Sequence, residues 1–297
     1  MLWDDAIVGH VNQFPVPFAH SIAAVDRDGR VIWEQGDVTR SFPLASVTKI
    51  VTSLATLRAV QSGIVSLATI AGSVPQFHAN SQLGSGGASD NGEAPPFTLA
   101  HLLSHSSGLA AEGNGTEFRD MPGMRRIYSN QGFDVLGEFM REKTGAATSR
   151  WIDREVAAPL GLRSTTVPSS PARSGFGSAL DLTVLAEELL EPQLLTPKMA
   201  SAFSEVALPG LRGILPGYGM QRDNTWGLGV EIKGEKQPHW TPPSASPFTF
   251  GHFGMSGSFL WVDPQRGIGA VFLGAEPFGP WHKANWPILG EKILEAA

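Results

Sequence analysis

The order of strand and helix patterns along the chain is the feature that most constrains its fold. Short apolar or alternating runs typical of strands lie at both ends, at 20–36, 226–232, 256–262 and 268–274. Helical periodicities fill the middle and close the chain, at about 46–61, 131–143, 149–158, 181–190 and 286–296. Because strands and helices do not alternate, this order argues against a parallel, doubly wound sheet.

We therefore predict an α+β fold in which an antiparallel sheet is built from both chain ends and flanked by helices. Residues 1–62 and 210–297 would form the sheet sub-domain, and residues 63–209 a mainly helical sub-domain inserted into it. The active site is expected at the interface between the two. A chain of 297 residues buries enough surface on folding to keep such a site dry without covalent cross-links.

Charge and composition exclude several classes of function. The formal net charge is −6, so no basic surface for nucleic acid or anionic lipid is expected. The chain has no cysteine, which excludes disulfides, thiolate catalysis and cysteine-based metal sites. The N-terminal segment has no basic and apolar leader pattern, and no apolar run reaches the length of a membrane span. We expect a soluble, cytoplasmic protein with no membrane partner; the sequence leaves its oligomeric state open.

A serine and a lysine three residues apart form the first candidate for chemistry. Ser46 and Lys49 lie in the sequence S-V-T-K at the start of a predicted helix, where this spacing places two side chains on one face. A serine hydroxyl needs a base to become a nucleophile, and a lysine whose pKa is lowered by burial can be that base. The Ser46 N–H could also stabilise an oxyanion. The tetrapeptide alone is a weak signal, and a helix cap followed by a solvated lysine is the more common explanation of it.

A tyrosine and an asparagine form the second candidate. Tyr128 and Asn130 lie in the sequence Y-S-N just before a predicted helix. A phenol near a lysine can shuttle protons, and an amide can hold both an acyl carbonyl and the lysine. The alternative is a turn in which Ser129 or Asn130 caps the helix, and both interpretations can hold together.

The third candidate is the sequence G-H-F-G-M-S-G at a predicted strand. Gly254 could let a substrate backbone approach the strand edge, and the N–H of Met255 would be a second oxyanion donor. His252 opens the motif. The alternative is a glycine-rich strand with an incidental histidine.

Taken in order, S-x-x-K, Y-x-N and [K/H]-x-G resemble the serine β-lactamase and penicillin-binding-protein superfamily, which includes class C β-lactamases, D-alanyl-D-alanine carboxypeptidases and family VIII esterases. The sequences L-L-S-H-S-S-G-L at 102–109 and W-G-L-G at 226–229 add to the resemblance, which runs from about residue 20 to 275. It implies a β-lactamase/transpeptidase-like fold and the following roles. Ser46 would be the acylated nucleophile, Lys49 its partner, Tyr128 the base or proton shuttle, Asn130, His252 and Gly254 substrate-binding residues, and the N–H groups of Ser46 and Met255 the oxyanion hole.

One departure from the family pattern bears on the substrate. His252 stands where β-lactamases usually have a lysine, and a neutral imidazole is a poorer anchor for a substrate carboxylate. Carboxylesterase is therefore the leading interpretation. D-amino-acid peptidase or amidase and weak β-lactamase are alternatives, and a non-catalytic penicillin-recognising module is an alternative of another class. The partner would be a small ester, amide or lactam.

No metal or other cofactor is expected. His101 and His105 are four residues apart, but neither an H-E-x-x-H motif nor a third ligand accompanies them. We expect His105 to order the following Ser-Gly turn through hydrogen bonds. The Gly- and Ser-rich segment 80–96 is predicted to be a loop, and the sequence leaves open whether it covers the pocket.

Overall fold

The structure, a computed structural model, describes residues 13–73, 96–114 and 117–297. Its strands are β1 His20–Asp26, β2 Val31–Gly36, β3 Ser41–Ala45, β4 Ile70–Ser73, β5 Pro96–Thr98, β6 Gly175–Ser178, β7 Gly213–Leu215, β8 Gly219–Gln221, β9 Glu231–Ile232, β10 Phe250–Gly254, β11 Ser258–Asp263 and β12 Ile268–Gly274. Its helices are α1 Thr48–Gln61, α2 Leu99–Leu103, α3 Asn130–Thr144, α4 Thr148–Ile152, α5 Ala158–Leu160, α6 Ala179–Leu190, α7 Pro197–Ser204 and α8 Pro280–Ala296, with a π-helical turn Asp153–Ala157 joining α4 to α5.

The main sheet is antiparallel and joins the two chain ends, as predicted. Its strand order is β2-β1-β12-β11-β10-β9, so N-terminal β1 pairs directly with C-terminal β12. The hairpins β1–β2 and β11–β12 form where an apolar run is interrupted by Asp28-Gly29 and by the 263–267 connection. The predicted α+β fold, with a sheet from both chain ends, is therefore confirmed.

Helices cover both faces of this sheet. Alternate residues of each strand point to opposite faces. Ala23 and Val25 belong to one core cluster with side chains of α1 and α6, whereas Ile22 and Ala24 belong to another with side chains of α8. The sheet is therefore the middle layer of three, and both of its faces are dry.

Helix α1 lies at the centre of the molecule. It is buried along almost its whole length, from Thr48 to Leu57 and at Ala59, and it packs against α4, α7 and β10. Burial on all sides is typical of a core helix rather than of a surface helix. The residues at the start of α1 are therefore held by both the sheet and the helical part. The sub-domain bounds at 62 and 210 stay a prediction.

Several local predictions are wrong. The segment before Ser46, for which no element was predicted, is strand β3 and pairs with β6, and the helix predicted from about residue 46 begins at Thr48. The strand predicted at 226–232 is reduced to β9. Gly229 has a φ of 101°, and a β-carbon there would overlap the side chain of Ser53 on α1. This segment therefore turns to pack on α1 instead of continuing an extended strand.

Except for Pro96, the predicted loop 80–96 lies outside the described residues. Among the described residues, the helices lack the combination of length and apolar character that a bilayer span needs.

Candidate active site

Ser46 lies in the turn that joins β3 to α1, two residues before the helix begins. The turn is fixed on both sides. Ala45 adopts a φ of 44°, and the Thr48 hydroxyl donates to the Ala45 carbonyl at 2.5 Å while accepting from the Gly175 N–H of β6 at 2.9 Å. These contacts fix the position of Ser46, and the residue is 7% exposed, so it is not completely closed off from solvent.

Lys49 is completely buried, and its amine faces only oxygen atoms. The Nζ atom lies 2.6 Å from Asn130 Oδ1, 2.9 Å from the Ala172 carbonyl oxygen, 2.9 Å from Tyr128 Oη and 3.3 Å from Ser46 Oγ. Burial holds the pKa of Lys49 well below its usual range; among smaller effects, Asp134 and Glu112 raise this pKa and Arg173 lowers it. A lysine in this environment loses its proton more readily than an exposed lysine does.

Tyr128 lies between the serine and the lysine. Its phenol donates to Ser46 Oγ at 2.6 Å and accepts from Lys49 Nζ at 2.9 Å. The ring packs against His105, with the ring centroids 4.6 Å apart, and against Trp226 at 5.7 Å. Burial raises the pKa of the Tyr128 phenol, so this group stays protonated over the physiological range.

Asn130 is the first residue of α3, and its amide joins Lys49 to an exposed ion pair. The Ser129 hydroxyl caps the helix by accepting from the Gly132 N–H, which is one of the two interpretations that the sequence allowed. The Asn130 Nδ2 group donates to Glu112 Oε1 at 2.6 Å, and Glu112 Oε2 accepts from Arg173 at 2.6 Å. These two charged residues, like the Ala172 carbonyl, were missed by the sequence analysis, because isolated residues in loops carry no pattern.

His252 is buried behind Tyr128. Its Nδ1–H donates to the Phe253 carbonyl at 2.7 Å, and its ring centroid lies 5.7 Å from that of Tyr128. Burial, with a smaller effect from Lys49, lowers the pKa of His252 to about 3. The imidazole is therefore neutral at physiological pH and supplies no positive charge for a substrate carboxylate.

Gly254 ends β10 beside the Ser46 turn. A β-carbon at this position would overlap the Leu44 carbonyl oxygen and stand 3.2 Å from the Ser46 nitrogen. The close approach that this glycine permits is therefore to the protein's own turn, whereas the sequence analysis expected it to be to a substrate. Met255 follows directly, with a side chain that is 57% exposed.

His101 and His105 have separate structural roles. The His105 Nδ1 atom accepts from the Ser129 N–H at 3.1 Å, and the His105 carbonyl accepts from the Ile127 N–H. His101 Nδ1 accepts from the Thr98 N–H at the start of α2. His105 thus ties the turn after α2 to the segment that carries Tyr128. Across residues 13–73, 96–114 and 117–297, no group of three or more His, Asp or Glu side chains could hold a metal ion.

Comparison with known proteins places this arrangement in a family. A family model described as Beta-lactamase matches residues 21–289. The chain belongs to the Beta-lactamase family. The resemblance inferred from the three motifs is therefore confirmed.

Solved structures of other proteins agree with this membership. A β-lactamase from Mycobacterium bovis is 38% identical, with a TM-score of 0.82 and coverage of 95% of this chain and 96% of that chain. The hydrolase EstCE1, described as having promiscuous acyltransferase activity, has a TM-score of 0.71 at 20% identity and is similar in fold.

Relatives found by sequence carry two different activities in their names. Esterase EstB from Burkholderia gladioli is 30% identical over 186 residues, which are 48% of this chain and 45% of the esterase. A putative D-alanyl-D-alanine carboxypeptidase from Salmonella paratyphi B is 25% identical over 232 residues, 61% of this chain and 53% of the relative. The chain thus spans about half the length of the curated relatives it matches.

Proposed function

We propose that this member of the Beta-lactamase family is a serine hydrolase that acts through an acyl-enzyme on Ser46, and that its substrates are carboxylic esters. The observation that carries the proposal is the continuous contact from the Ser46 hydroxyl through the Tyr128 phenol to the Lys49 amine, over 2.6 and 2.9 Å. A nucleophile, a proton relay and a buried base within hydrogen-bond reach are what acyl transfer requires.

The contacts of Lys49 define how its amine can act. The oxygens of Asn130 and Ala172 can only accept hydrogen bonds, so they take two N–H groups of the amine. When the amine is neutral, it has two N–H groups and one lone pair, and the lone pair then faces Tyr128 Oη and Ser46 Oγ. In this state the phenol proton turns from Ser46 Oγ to Lys49 Nζ, and Tyr128 Oη accepts from the Ser46 hydroxyl, so both hydrogen bonds of the resting arrangement are reversed. Because burial lowers the pKa of Lys49 and raises that of Tyr128, the resting base is the amine rather than a phenolate.

Acylation follows from this proton arrangement. The Ser46 oxygen attacks the ester carbonyl while its proton passes to Tyr128 Oη and the phenol proton passes to Lys49 Nζ. The new bond is Ser46 Oγ to the acyl carbon. When the ester C–O bond breaks, the leaving alkoxide takes a proton back from the relay and departs as the alcohol. Water then attacks the acyl-enzyme by the same route and releases the acid and Ser46.

The N–H groups of Ser46 and Met255 are the proposed oxyanion donors. Support comes from Gly254, which brings the end of β10 against the backbone of the Ser46 turn. Two backbone donors from rigid elements can stabilise the charge that develops on the carbonyl oxygen. Asn130 and His252 line the proposed substrate site beside them.

Two features favour esters over the other substrates of this fold. His252 is neutral, so no cation stands at this position for the carboxylate of a β-lactam or a peptide. The nitrogen of Asn130 is engaged by Glu112 and is not free to bind the carbonyl of an acylamido group without breaking that bond. The esterase name of one relative is in line with this choice.

A substrate panel tests the proposal. The purified protein and its Ser46→Ala variant are assayed with short-chain p-nitrophenyl esters, a chromogenic cephalosporin and a D-alanyl p-nitroanilide. We expect kcat/KM for the best ester to exceed that for the other two by roughly a hundredfold, with no ester turnover by Ser46→Ala. Preferred turnover of the D-alanyl amide or the cephalosporin would assign the alternative activities. Absence of all turnover in folded protein would favour a non-catalytic binding module.

A further inference from the structure

We propose that Glu112 is a positioning residue for the hydrolase, because it fixes the Asn130 amide with its oxygen towards Lys49. The inference rests on the proposed function. Glu112 belongs to none of the sequence motifs. Its carboxylate accepts from Asn130 and from Arg173, and not from Ser46, Tyr128 or Lys49. Its hydrogen bond to the site is through Asn130, and its charge also raises the pKa of both Lys49 and Tyr128.

The orientation of the Asn130 amide follows from its two neighbours. An amide presents an oxygen that accepts on one side and a nitrogen that donates on the other. A carboxylate accepts only, so the 2.6 Å contact with Glu112 Oε1 must be made by Nδ2. The amide oxygen then necessarily faces Lys49 Nζ, 2.6 Å away. The charged partner makes this choice stronger than a neutral one would.

The backbone holds Glu112 beside the start of α3. The N–H groups of Asn130 and Gln131 both donate to the carbonyl of Ala111, at 2.8 and 3.3 Å. Gly113 has no β-carbon, and one would overlap the amide oxygen of Gln131. The backbone of the loop that carries Glu112 therefore lies against the start of α3, within reach of Asn130.

Arg173 holds the other oxygen of the same carboxylate. Its guanidinium donates to Glu112 Oε2 at 2.6 Å, and the preceding residue, Ala172, supplies the carbonyl that accepts from Lys49. The Glu112–Arg173 ion pair thus links the loop of Ala172, whose carbonyl accepts from Lys49, to Glu112. Glu112 in turn contacts Asn130, whose amide oxygen also accepts from Lys49. An exposed ion pair contributes little to stability by itself, so its effect here is on geometry.

The orientation matters because it decides where the lone pair of Lys49 lies. With the oxygens of Asn130 and Ala172 accepting from the amine, the lone pair faces Tyr128 and Ser46. If the Asn130 amide turned over, its N–H would point at the amine and compete for the lone pair that must receive the proton. Proton transfer would then be slower, while the rest of the site would be unchanged.

A double-mutant cycle tests this inference. Single-turnover acylation by an activated ester is measured for the native protein, Glu112→Ala, Asn130→Ala and the double variant. We expect Glu112→Ala to slow acylation roughly tenfold, with little change in KM. This is less than the roughly hundredfold or more that a proton-transfer group contributes, because Lys49 and Tyr128 are both still present. In the Asn130→Ala background, the same change should have much less effect, because only the charge of Glu112 then acts on Lys49 and Tyr128.

Glu138→Ala is the matched control, since Glu138 forms an exposed ion pair with Arg141 on the same helix, away from the site. It should acylate at the native rate. Native acylation by Glu112→Ala, or an equal loss in both backgrounds, would overturn the positioning role. The Ser46→Ala variant separates this result from a failure of the proposed function. If Ser46→Ala still hydrolyses the ester, Ser46 is not the nucleophile. If Ser46→Ala is inactive and Glu112→Ala is fully active, only the role of Glu112 is refuted.

Discussion

The backbone of Gly254 lies directly against the turn that carries Ser46. A β-carbon on Gly254 would stand 3.2 Å from the Ser46 nitrogen and overlap the carbonyl oxygen of Leu44. The end of β10 can approach the Ser46 turn this closely only because Gly254 has no side chain. This contact also sets the separation of the two proposed oxyanion donors, because Met255 is the next residue.

Gly254→Ala should therefore impair catalysis more than folding. The added methyl group can be accommodated only if the Ser46 turn or β10 moves, and small displacements at a reacting centre are costly. We expect kcat to fall by roughly a hundredfold, as measured with the best ester. Gly279→Ala is the control, since a β-carbon there meets only the Pro277 carbonyl oxygen, at 3.7 Å. Native kcat for Gly254→Ala would show that the contact is not critical.

The pH dependence of kcat/KM should report the ionisation of Lys49. The amine is a base only when neutral, and burial lowers its pKa. Activity is therefore expected above this lowered pKa and should be lost as the pH falls through it.

Lys49→Arg keeps the positive charge but cannot deprotonate, so kcat/KM should fall by at least about a hundredfold at every pH. Lys143→Arg, an exposed lysine paired with Glu142, is the control. Retention of activity by Lys49→Arg would exclude the amine as the base.

Tyr128→Phe removes the central oxygen of the relay while keeping the ring that packs on His105 and Trp226. Ser46 Oγ would then face Lys49 only across 3.3 Å. We expect a loss of about a hundredfold or more in kcat, measured by stopped-flow acylation, with the thermal midpoint nearly unchanged. The chain has one other tyrosine, Tyr218, and Tyr218→Phe should retain native kcat. Equal activities of the two variants would remove Tyr128 from the mechanism.

Strong local patterns explain which parts of the fold could be predicted. The hairpins β1–β2 and β11–β12 combine apolar runs with a tight turn, so nearby residues specify them. Strand β3 pairs with β6, which is distant in sequence, and no local pattern predicts that partner. The W-G-L-G sequence resembled a strand, but Gly229 serves close packing on α1, which is a tertiary requirement.

The candidate site divides in the same way. Ser46 and Lys49 could be expected to meet because a helical spacing brings them together, and their contact is present over 3.3 Å. The acceptor on Ala172 is a backbone carbonyl, which any residue would provide, so no residue type marks it. Glu112 and Arg173 are ordinary surface charges in sequence, and only the fold brings them to Asn130.

Acid should destabilise the fold partly through His282. This residue is buried at the start of α8, its Nδ1 atom accepts from the Gly279 N–H, and burial lowers its pKa to about 4. The unfolded chain binds a proton near pH 6.5, so the stabilisation is complete above that pH and is lost as the pH falls towards 4. Between about pH 7.5 and about pH 5 the loss from this group is about 2 kcal/mol.

Urea unfolding at both pH values measures this effect. Native protein and His282→Gln are compared, and the variant should lose less stability on acidification by about that amount. The difference between the two proteins cancels the contributions of His252 and of the carboxyl groups. Identical pH dependence in the variant would mean that His282 is not responsible.

Whole-protein mass spectrometry after treatment with an activated phosphonate tests the central claim most directly. A serine that is activated as a nucleophile displaces the leaving group and keeps the phosphonyl group as a covalent adduct. We predict one adduct on the native chain, located on the peptide that contains Ser46, and none on Ser46→Ala. An unmodified native chain, or an adduct that persists in Ser46→Ala, would contradict the assignment of Ser46 as the nucleophile.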